Sequence, residues 1–121
     1  MNLFKGINIF EDRILFIFSD PGGAKPILAF IDDNKLQNYK VISDRVYSFY
    51  DDFGVPVHPY KGNVKEEIDI FKPTLIFTGT SYTSTIEKEF ISCGKYNHIS
   101  TLSYVDHWTN ISDRFKLQDN F

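Results

Sequence analysis

The sequence predicts a three-layer α/β fold around a mostly parallel sheet of about five strands. Three observations predict it. Short, continuous apolar runs at residues 13–19 and 74–78 are typical of strands that are buried on both faces. Apolar residues at helical spacing lie between such runs, and turn-forming glycines and prolines separate the two kinds of segment. Strands that alternate with helices in this way indicate parallel pairing through right-handed crossovers.

The first strand is predicted over residues 13–19, which read Arg-Ile-Leu-Phe-Ile-Phe-Ser. The turn residues Asp20-Pro-Gly-Gly follow it directly. A helix is predicted next because apolar residues recur at positions i, i+3, i+4 and i+7, namely Ala24, Ile27, Leu28 and Ile31. Asp20 is the candidate N-cap of this helix.

The middle of the chain predicts shorter elements. Residues 39–44 predict a second strand, and residues 47–53 predict a short helix. Residues 55–60 are extended but contain two prolines, which restricts them to a short or edge strand. A helix is predicted over residues 64–71, and Pro73 ends it.

The last part of the chain repeats the pattern of a strand, a turn and a helix. Residues 74–78 predict the fourth strand, which stops at Gly79-Thr80-Ser81. Ser84 and Glu87 form the spacing of a capping box, which predicts the start of a third helix. Residues 98–105 predict the fifth strand. Together these elements predict a Rossmann-like domain.

Composition excludes several classes of function. The 121 residues fit one domain over positions 1–121, and the net charge of −3 comes without any cluster of Lys and Arg, which argues against nucleic acid and anionic membrane as partners. The longest apolar run is too short to span a membrane. A single cysteine and three scattered histidines predict neither a disulfide nor a metal site, and no cofactor is expected. Without a signal peptide, a cytoplasmic location is expected.

Ligands of open parallel sheets bind outside the carboxyl ends of the strands, at the point where the strand order reverses. Small or polar segments follow the first, fourth and fifth predicted strands. The candidate ligand-binding residues in these segments are Asp20, Gly22, Gly23, Gly79, Thr80, Ser81, Asp106, His107 and Trp108. The two glycines before the first helix would allow a close backbone approach, and the helix N-terminus favours phosphate or carboxylate. An ordinary tight turn explains the same glycines equally well.

The segment after the fifth strand is the most distinctive. Asp106 and His107 offer a carboxylate and an imidazole, which could bind sugar hydroxyls or exchange protons, and Trp108 could stack on a sugar ring. Arg114 could bind an anion. A strand-end cap beside a partly buried Trp is the alternative. The patterns G-x-G-x-x-G and G-x-x-x-x-G-K-[ST] are absent, and no catalytic residue is assigned.

The segment Phe77-Thr-Gly-Thr-Ser81, a helix and then a strand that ends in Asp106-His-Trp108 resemble the N-terminal Rossmann domain of two-domain GT-B glycosyltransferases. They are also similar to the non-hydrolysing UDP-N-acetylglucosamine 2-epimerases. With Asn110 and Arg114-Phe115, the pattern resembles bacterial polysaccharide-biosynthesis proteins. The epimerases have an acidic residue where this chain has Thr80, which argues against epimerase chemistry.

This resemblance implies an enzyme with two facing Rossmann domains and a metal-independent active site between them. The N-terminal domain of such enzymes mainly binds the acceptor, and the C-terminal domain mainly binds the nucleotide sugar. This chain would then be the acceptor-side half of a longer protein, inactive without its C-terminal domain. The residues that would face the cleft are Gly22, Gly23, Gly79, Thr80, Ser81 and Asp106.

Two other hypotheses remain open. In a stand-alone nucleotide-binding module, Asp44 would lie where dinucleotide-binding folds carry the acid that binds ribose. In a non-catalytic interaction domain, the many Phe and Tyr residues would supply an apolar contact surface. An uncovered sheet edge could also pair two copies of the chain as a homodimer.

Overall fold

A computed structural model describes residues 7, 11–81 and 84–104. In chain order, the elements among these residues are β1 (Ile14–Phe18), α1 (Pro21–Asp33), β2 (Tyr39–Ser43), a 3₁₀ turn (Ser48–Asp52), β3 (His58–Pro59), α2 (Val64–Phe71), β4 (Leu75–Thr78), α3 (Ile86–Tyr96) and β5 (Ser100–Ser103). No helix within the described ranges has both the length and the apolar character that a membrane crossing requires.

The five strands form one sheet in the order β3-β2-β1-β4-β5, and every pair is parallel. The predicted α/β class and the Rossmann-like arrangement are therefore confirmed. The chain builds outward from β1 to β3 and then crosses back through α2 to place β4 on the other side of β1. The strand order consequently reverses between β1 and β4.

Strand β1 is the centre of the core, and all five of its residues are buried. Its side chains alternate between the two faces of the sheet. Ile14, Phe16 and Phe18 pack into a cluster with the apolar face of α1, whereas Leu15 and Ile17 pack into a second cluster with α2 and α3. Each fully buried side chain of this size contributes roughly 1.5–3 kcal/mol to folding, so β1 anchors both helical layers.

The described α-helices end at the amino edge of the sheet, where the strands begin. Each has a non-glycine residue with left-handed φ just after it, namely Lys35, Lys72 and His98. After α3, Ile99 N donates to Gly94 O and His98 N donates to Lys95 O, which is a Schellman motif. These residues close the last helical turn at positions where glycine is usually found.

The amino edge is fastened by Arg13, which precedes β1. Its Nε donates to the carbonyl of Phe71 at 2.5 Å, at the end of α2, and its Nη1 donates to Asn38 Oδ1 at 2.6 Å. Its guanidinium also lies 4.0 Å from the centre of the Phe71 ring. The backbone N–H of Arg13 donates to Thr74 Oγ1 at 2.8 Å. Arg13 therefore joins the starts of β1, β2 and β4 to the end of α2.

Some predicted elements differ in detail. Within the helix predicted over residues 47–53, Ser48–Asp52 form a 3₁₀ turn rather than an α-helix, and the ring of Tyr47 contacts those of Phe49 and Tyr50. The prolines limit β3 to two residues that pair with the end of β2, as predicted. His58 and His98 are both exposed.

Candidate functional site

The turn after β1 and the turn after β4 lie side by side at the carboxyl edge of the sheet. The N–H of Gly79 donates to the carbonyl of Ile17 at 2.8 Å, which continues the pairing of β1 with β4. Beyond it, the N–H of Asp20 donates to Ser81 Oγ at 3.0 Å. Two of the three segments that the sequence predicts to converge are therefore in direct contact.

The close approach of these turns depends on two glycines. A Cβ placed on Gly23 would lie 3.0 Å from Gly79 Cα, and a Cβ placed on Gly79 would lie 3.2 Å from Gly23 Cα and 2.7 Å from Glu87 Oε2. These distances are shorter than almost any real Cβ contact, so neither position accommodates a side chain without displacement. Gly23 and Gly79 thus allow the start of α1 to pack against the end of β4, while Gly22 is half-buried in the same helical turn.

The N-terminus of α1 is partly satisfied by the protein itself. Asp20 is the N-cap residue, as predicted, but its side chain makes no capping hydrogen bond. Its carbonyl accepts from the N–H groups of Gly23 and Ala24 at 3.2 and 3.0 Å. Pro21, in the first turn, carries no N–H. Few backbone donors of this helix end therefore remain for a bound anion.

The hydroxyl groups of Thr80 and Ser81 are buried and link neighbouring segments. Thr80 Oγ1 donates to the carbonyl of Tyr104 at 3.0 Å, which joins the turn after β4 to the end of β5. Ser81 accepts the bond from Asp20, and its N–H donates to Glu87 Oε1 at 2.8 Å. Both residues therefore hold the turn after β4 against its neighbouring segments.

Glu87 lies at the same edge, although the sequence predicts that it caps the third helix together with Ser84. The predicted capping box would pair its carboxylate with the N–H of Ser84. In the structure, α3 begins at Ile86 with Thr85 as N-cap, and the Glu87 carboxylate bonds to Ser81, six residues before it. Ser84 instead donates its hydroxyl to Asp44 Oδ2 at 2.7 Å, so the capping-box prediction is wrong. Tertiary partners outcompete the local pair.

Burial changes the acidity of Glu87. The residue is only 2% exposed, and burial raises its pKa from 4.5 to about 7. Hydrogen bonds from the Ser81 side chain and backbone lower the pKa and offset part of this effect, while the carboxylates of Asp20 and Asp44 raise it further. A strongly shifted carboxyl pKa is a feature of functional sites, although buried structural acids also show it.

The end of β2 contributes a third acidic residue to the same edge. Asp44 directly follows β2, is exposed, and reaches the connection between β4 and α3 through its bond with Ser84. Beside these groups, Ser19 follows β1 with a fully buried hydroxyl that has no hydrogen-bond partner among the described residues. The edge thus combines carboxylates with hydroxyls. Residues 7, 11–81 and 84–104 contain no group of three ligands that could hold a metal ion.

The remaining predicted site residues, Asp106, His107, Trp108 and Arg114, lie outside the described residues. β5 runs parallel to β4 with Ser103 opposite Thr78, so the chain reaches the same edge at Tyr104. The end of the fifth strand therefore lies beside the turn after β4, and the binding role of the residues that follow it stays a prediction.

The described surface also has grooves with other linings. One of about 600 Å³ runs between α2 and α3 and is lined by Val64 and Cys93, among others. Another of about 560 Å³ lies beside the 3₁₀ turn and is lined by Tyr47, Tyr50 and Phe53, among others. Neither groove is lined by the buried polar groups that lie at the carboxyl edge.

No family model, curated protein or solved structure matches the chain.

Proposed function

We propose that the crevice between the ends of β1 and β4 binds a hydroxyl-rich ligand, and that the chain is the acceptor-side half of a glycosyltransferase or sugar-nucleotide enzyme. The observation that supports this proposal best is the convergence of acidic and hydroxyl side chains where the strand order reverses. Asp20, Asp44 and Ser81 come from the ends of three different strands and lie at one edge. Carboxylate oxygens accept hydrogen bonds readily from the hydroxyls of a sugar.

The same geometry disfavours a bound phosphate. Helix N-termini attract negative charge, and here the protein places its own carboxyl groups near them, with Asp20 at α1 and Glu87 at α3. An additional phosphate would be repelled by Asp20 and Asp44. This charge pattern fits an uncharged acceptor sugar better than the diphosphate of a nucleotide sugar, which in a GT-B enzyme is mainly bound by the other domain.

The enzyme class is supported by the resemblance of residues 77–81 and 106–108 to GT-B glycosyltransferases and bacterial polysaccharide-biosynthesis proteins. In this proposal the chain acts in the cytoplasm, binds the acceptor weakly by itself, and does not turn over without a C-terminal domain that supplies the nucleotide sugar.

A second candidate is a stand-alone nucleotide-binding module, which the position of Asp44 favours. Asp44 is exposed directly after β2, where an acid that binds ribose lies in dinucleotide-binding folds. The close packing of Gly23 on Gly79 counts against it, because the backbone at this turn is already in contact with the protein.

An amide-shift NMR titration of the chain tests the two candidates. We expect simple oligosaccharides at millimolar concentration to shift the signals of Gly22, Gly23, Gly79 and Ser81. Asp44→Asn should weaken these shifts because the amide is a poorer acceptor than the carboxylate. The matched control, Asp69→Asn, changes an exposed acid on α2 and should leave them unchanged.

Two outcomes contradict the sugar proposal. Shifts that appear with NAD but not with sugars, and that depend on Asp44, would favour the nucleotide module. Shifts with neither ligand would rule out sugar binding by this chain and leave the interaction domain as the remaining hypothesis.

A further inference from the structure

The carboxyl group of Glu87 is enclosed by the turn after β4. One oxygen accepts the N–H of Ser81 at 2.8 Å, and the other lies 2.7 Å from the position that a Cβ on Gly79 would occupy. The ion pairs that the structure shows among its described residues join Lys35 to Asp32, Lys40 to Glu67 and Lys65 to Asp69, and none involves Glu87. The carboxyl therefore ties the first turn of α3 to residues 79–81 without forming an ion pair there.

The charged groups that act on Glu87 from neighbouring elements are acidic. Asp20 approaches from the turn between β1 and α1, and Asp44 approaches from the end of β2. On α3 itself, Lys88 and Glu89 line the groove against α2. An ionised Glu87 is thus buried next to two like charges. Ser81 donates a stronger hydrogen bond to the ionised carboxylate than to the neutral carboxyl, but the cost of burying the charge is the larger effect, so the enclosed position favours the neutral form.

Hydrogen bonds connect Glu87 to the residues between the ends of β1 and β4, so its protonation state can affect them. Ser81 links Glu87 to the backbone of Asp20, and Ser84 links the start of α3 to Asp44. Any displacement of Ser81 from Glu87 therefore changes the contact between the turn after β1 and the turn after β4.

We propose that Glu87 is a protonation-controlled latch, which holds the Ser81 segment against α3 when its carboxyl is neutral and releases that segment to water when the carboxyl ionises. The latch belongs to the fold and does not depend on which ligand, if any, the crevice binds. Because burial raises the pKa of Glu87 to about 7, the neutral and ionised forms of its carboxyl exchange dominance near neutral pH.

The test follows the Glu87 side-chain carboxyl carbon and the Ser81 amide by NMR in the full chain, from about pH 5 to about pH 9. We expect the carboxyl to titrate near neutrality. We also expect the protection factor of the Ser81 amide, which is corrected for the intrinsic pH dependence of exchange, to fall about tenfold over the same range. Asp44→Asn should move both midpoints to lower pH together, because it removes a neighbouring negative charge.

Glu87→Gln should keep the Ser81 amide protected at every pH, since its side-chain oxygen still accepts the bond and no longer ionises. The matched control, Glu89→Gln, changes an exposed residue on the same helix and should preserve the wild-type midpoint. A Glu87 carboxyl that titrates like an exposed glutamate would overturn the proposal. So would a Ser81 protection factor that stays constant through the Glu87 midpoint, and both results come from the wild-type chain alone.

Discussion

The two edges of the sheet are built on opposite electrostatic principles. At the amino edge, the cation of Arg13 faces the negative end of α2 and contacts the carbonyl and ring of Phe71. At the carboxyl edge, the carboxyl groups of Asp20 and Asp44 approach that of Glu87, and each raises its pKa. At the amino edge a cation contacts carbonyl and aromatic groups, whereas at the carboxyl edge several acidic groups lie near one another.

The hydrogen bonding of the polar groups shows the same contrast. Arg13 joins three strand starts through matched donors and acceptors. At the other edge, the Ser19 hydroxyl is buried and has no partner among the described residues. An unsatisfied buried hydroxyl costs about 1–3 kcal/mol. The carboxyl edge therefore keeps a less favourable arrangement, of a kind that is common in functional sites.

The largest expected effect tests the acidic edge through Glu87→Gln. The folded pKa of about 7 exceeds the ordinary value of 4.5, so between these values the folded state binds more protons than the unfolded state. Raising the pH through this window therefore destabilises the wild type, and the stability is lost as the pH rises through 7. The shift corresponds to about 3 kcal/mol, a loss that the Glu87→Gln variant would not undergo.

Urea denaturation of both proteins at about pH 5 and about pH 8 measures this difference. The free energy of unfolding of Glu87→Gln should increase relative to that of the wild type as the pH rises. A stability difference that is the same at both pH values would show that Glu87 has an ordinary pKa in the folded protein.

The second effect tests the contact of the two turns. Gly79→Ala places a methyl group against both Gly23 and Glu87, and we expect it to lower the free energy of unfolding by about 2–3 kcal/mol. Gly54→Ala is the matched control, since its Cβ would lie 3.7 Å from Asp32 Oδ1, which is an ordinary contact. Thermal denaturation compares the two. Equal stabilities would mean that the turns can separate without cost.

The third effect tests the amino edge. Arg13→Met keeps the apolar stem but removes the hydrogen bonds to Phe71 and Asn38, and we expect a loss of about 2 kcal/mol. Because this edge lies away from the crevice, sugar-induced amide shifts should persist in the folded variant. Arg45→Met, at an exposed position, should change stability by less than about 0.5 kcal/mol. A loss of the sugar-induced shifts in Arg13→Met would contradict the separation of the two edges.

The sequence predicts the architecture well because its signals are local. The apolar run of β1, the glycines after it and the prolines near β3 each impose a structure that few tertiary contacts can override. The convergence of the turns after β1 and β4 follows from the strand alternation and from the habit of parallel sheets. The same rules place the candidate site at the carboxyl edge of the sheet, and that assignment stays a prediction.

The role of Glu87 was not predictable in the same way. Its spacing from Ser84 favours a capping box, and only the folded chain brings Ser81 to Glu87 and Asp44 to Ser84. Burial raises its pKa, and burial depends on the packing of several elements. The sequence offers one signal of this burial, which is that Glu87 lies on the same helix face as the apolar residues Phe90 and Ile91. The roles of Asp106, His107 and Trp108 stay predictions.

The smallest effect tests whether strain at the amino edge serves any purpose. His98 follows α3 with a φ of 59°, a left-handed conformation that costs a non-glycine residue about 1 kcal/mol. His98→Gly should therefore raise the free energy of unfolding by about 0.5–1 kcal/mol and leave the Glu87 midpoint and the sugar-induced shifts unchanged. Denaturation and the NMR titrations measure both. Unchanged titrations would show that the strain at His98 is independent of the carboxyl edge, where Ser19 and Glu87 are the unfavourable groups. A shifted Glu87 midpoint would instead show that the two edges are coupled through α3.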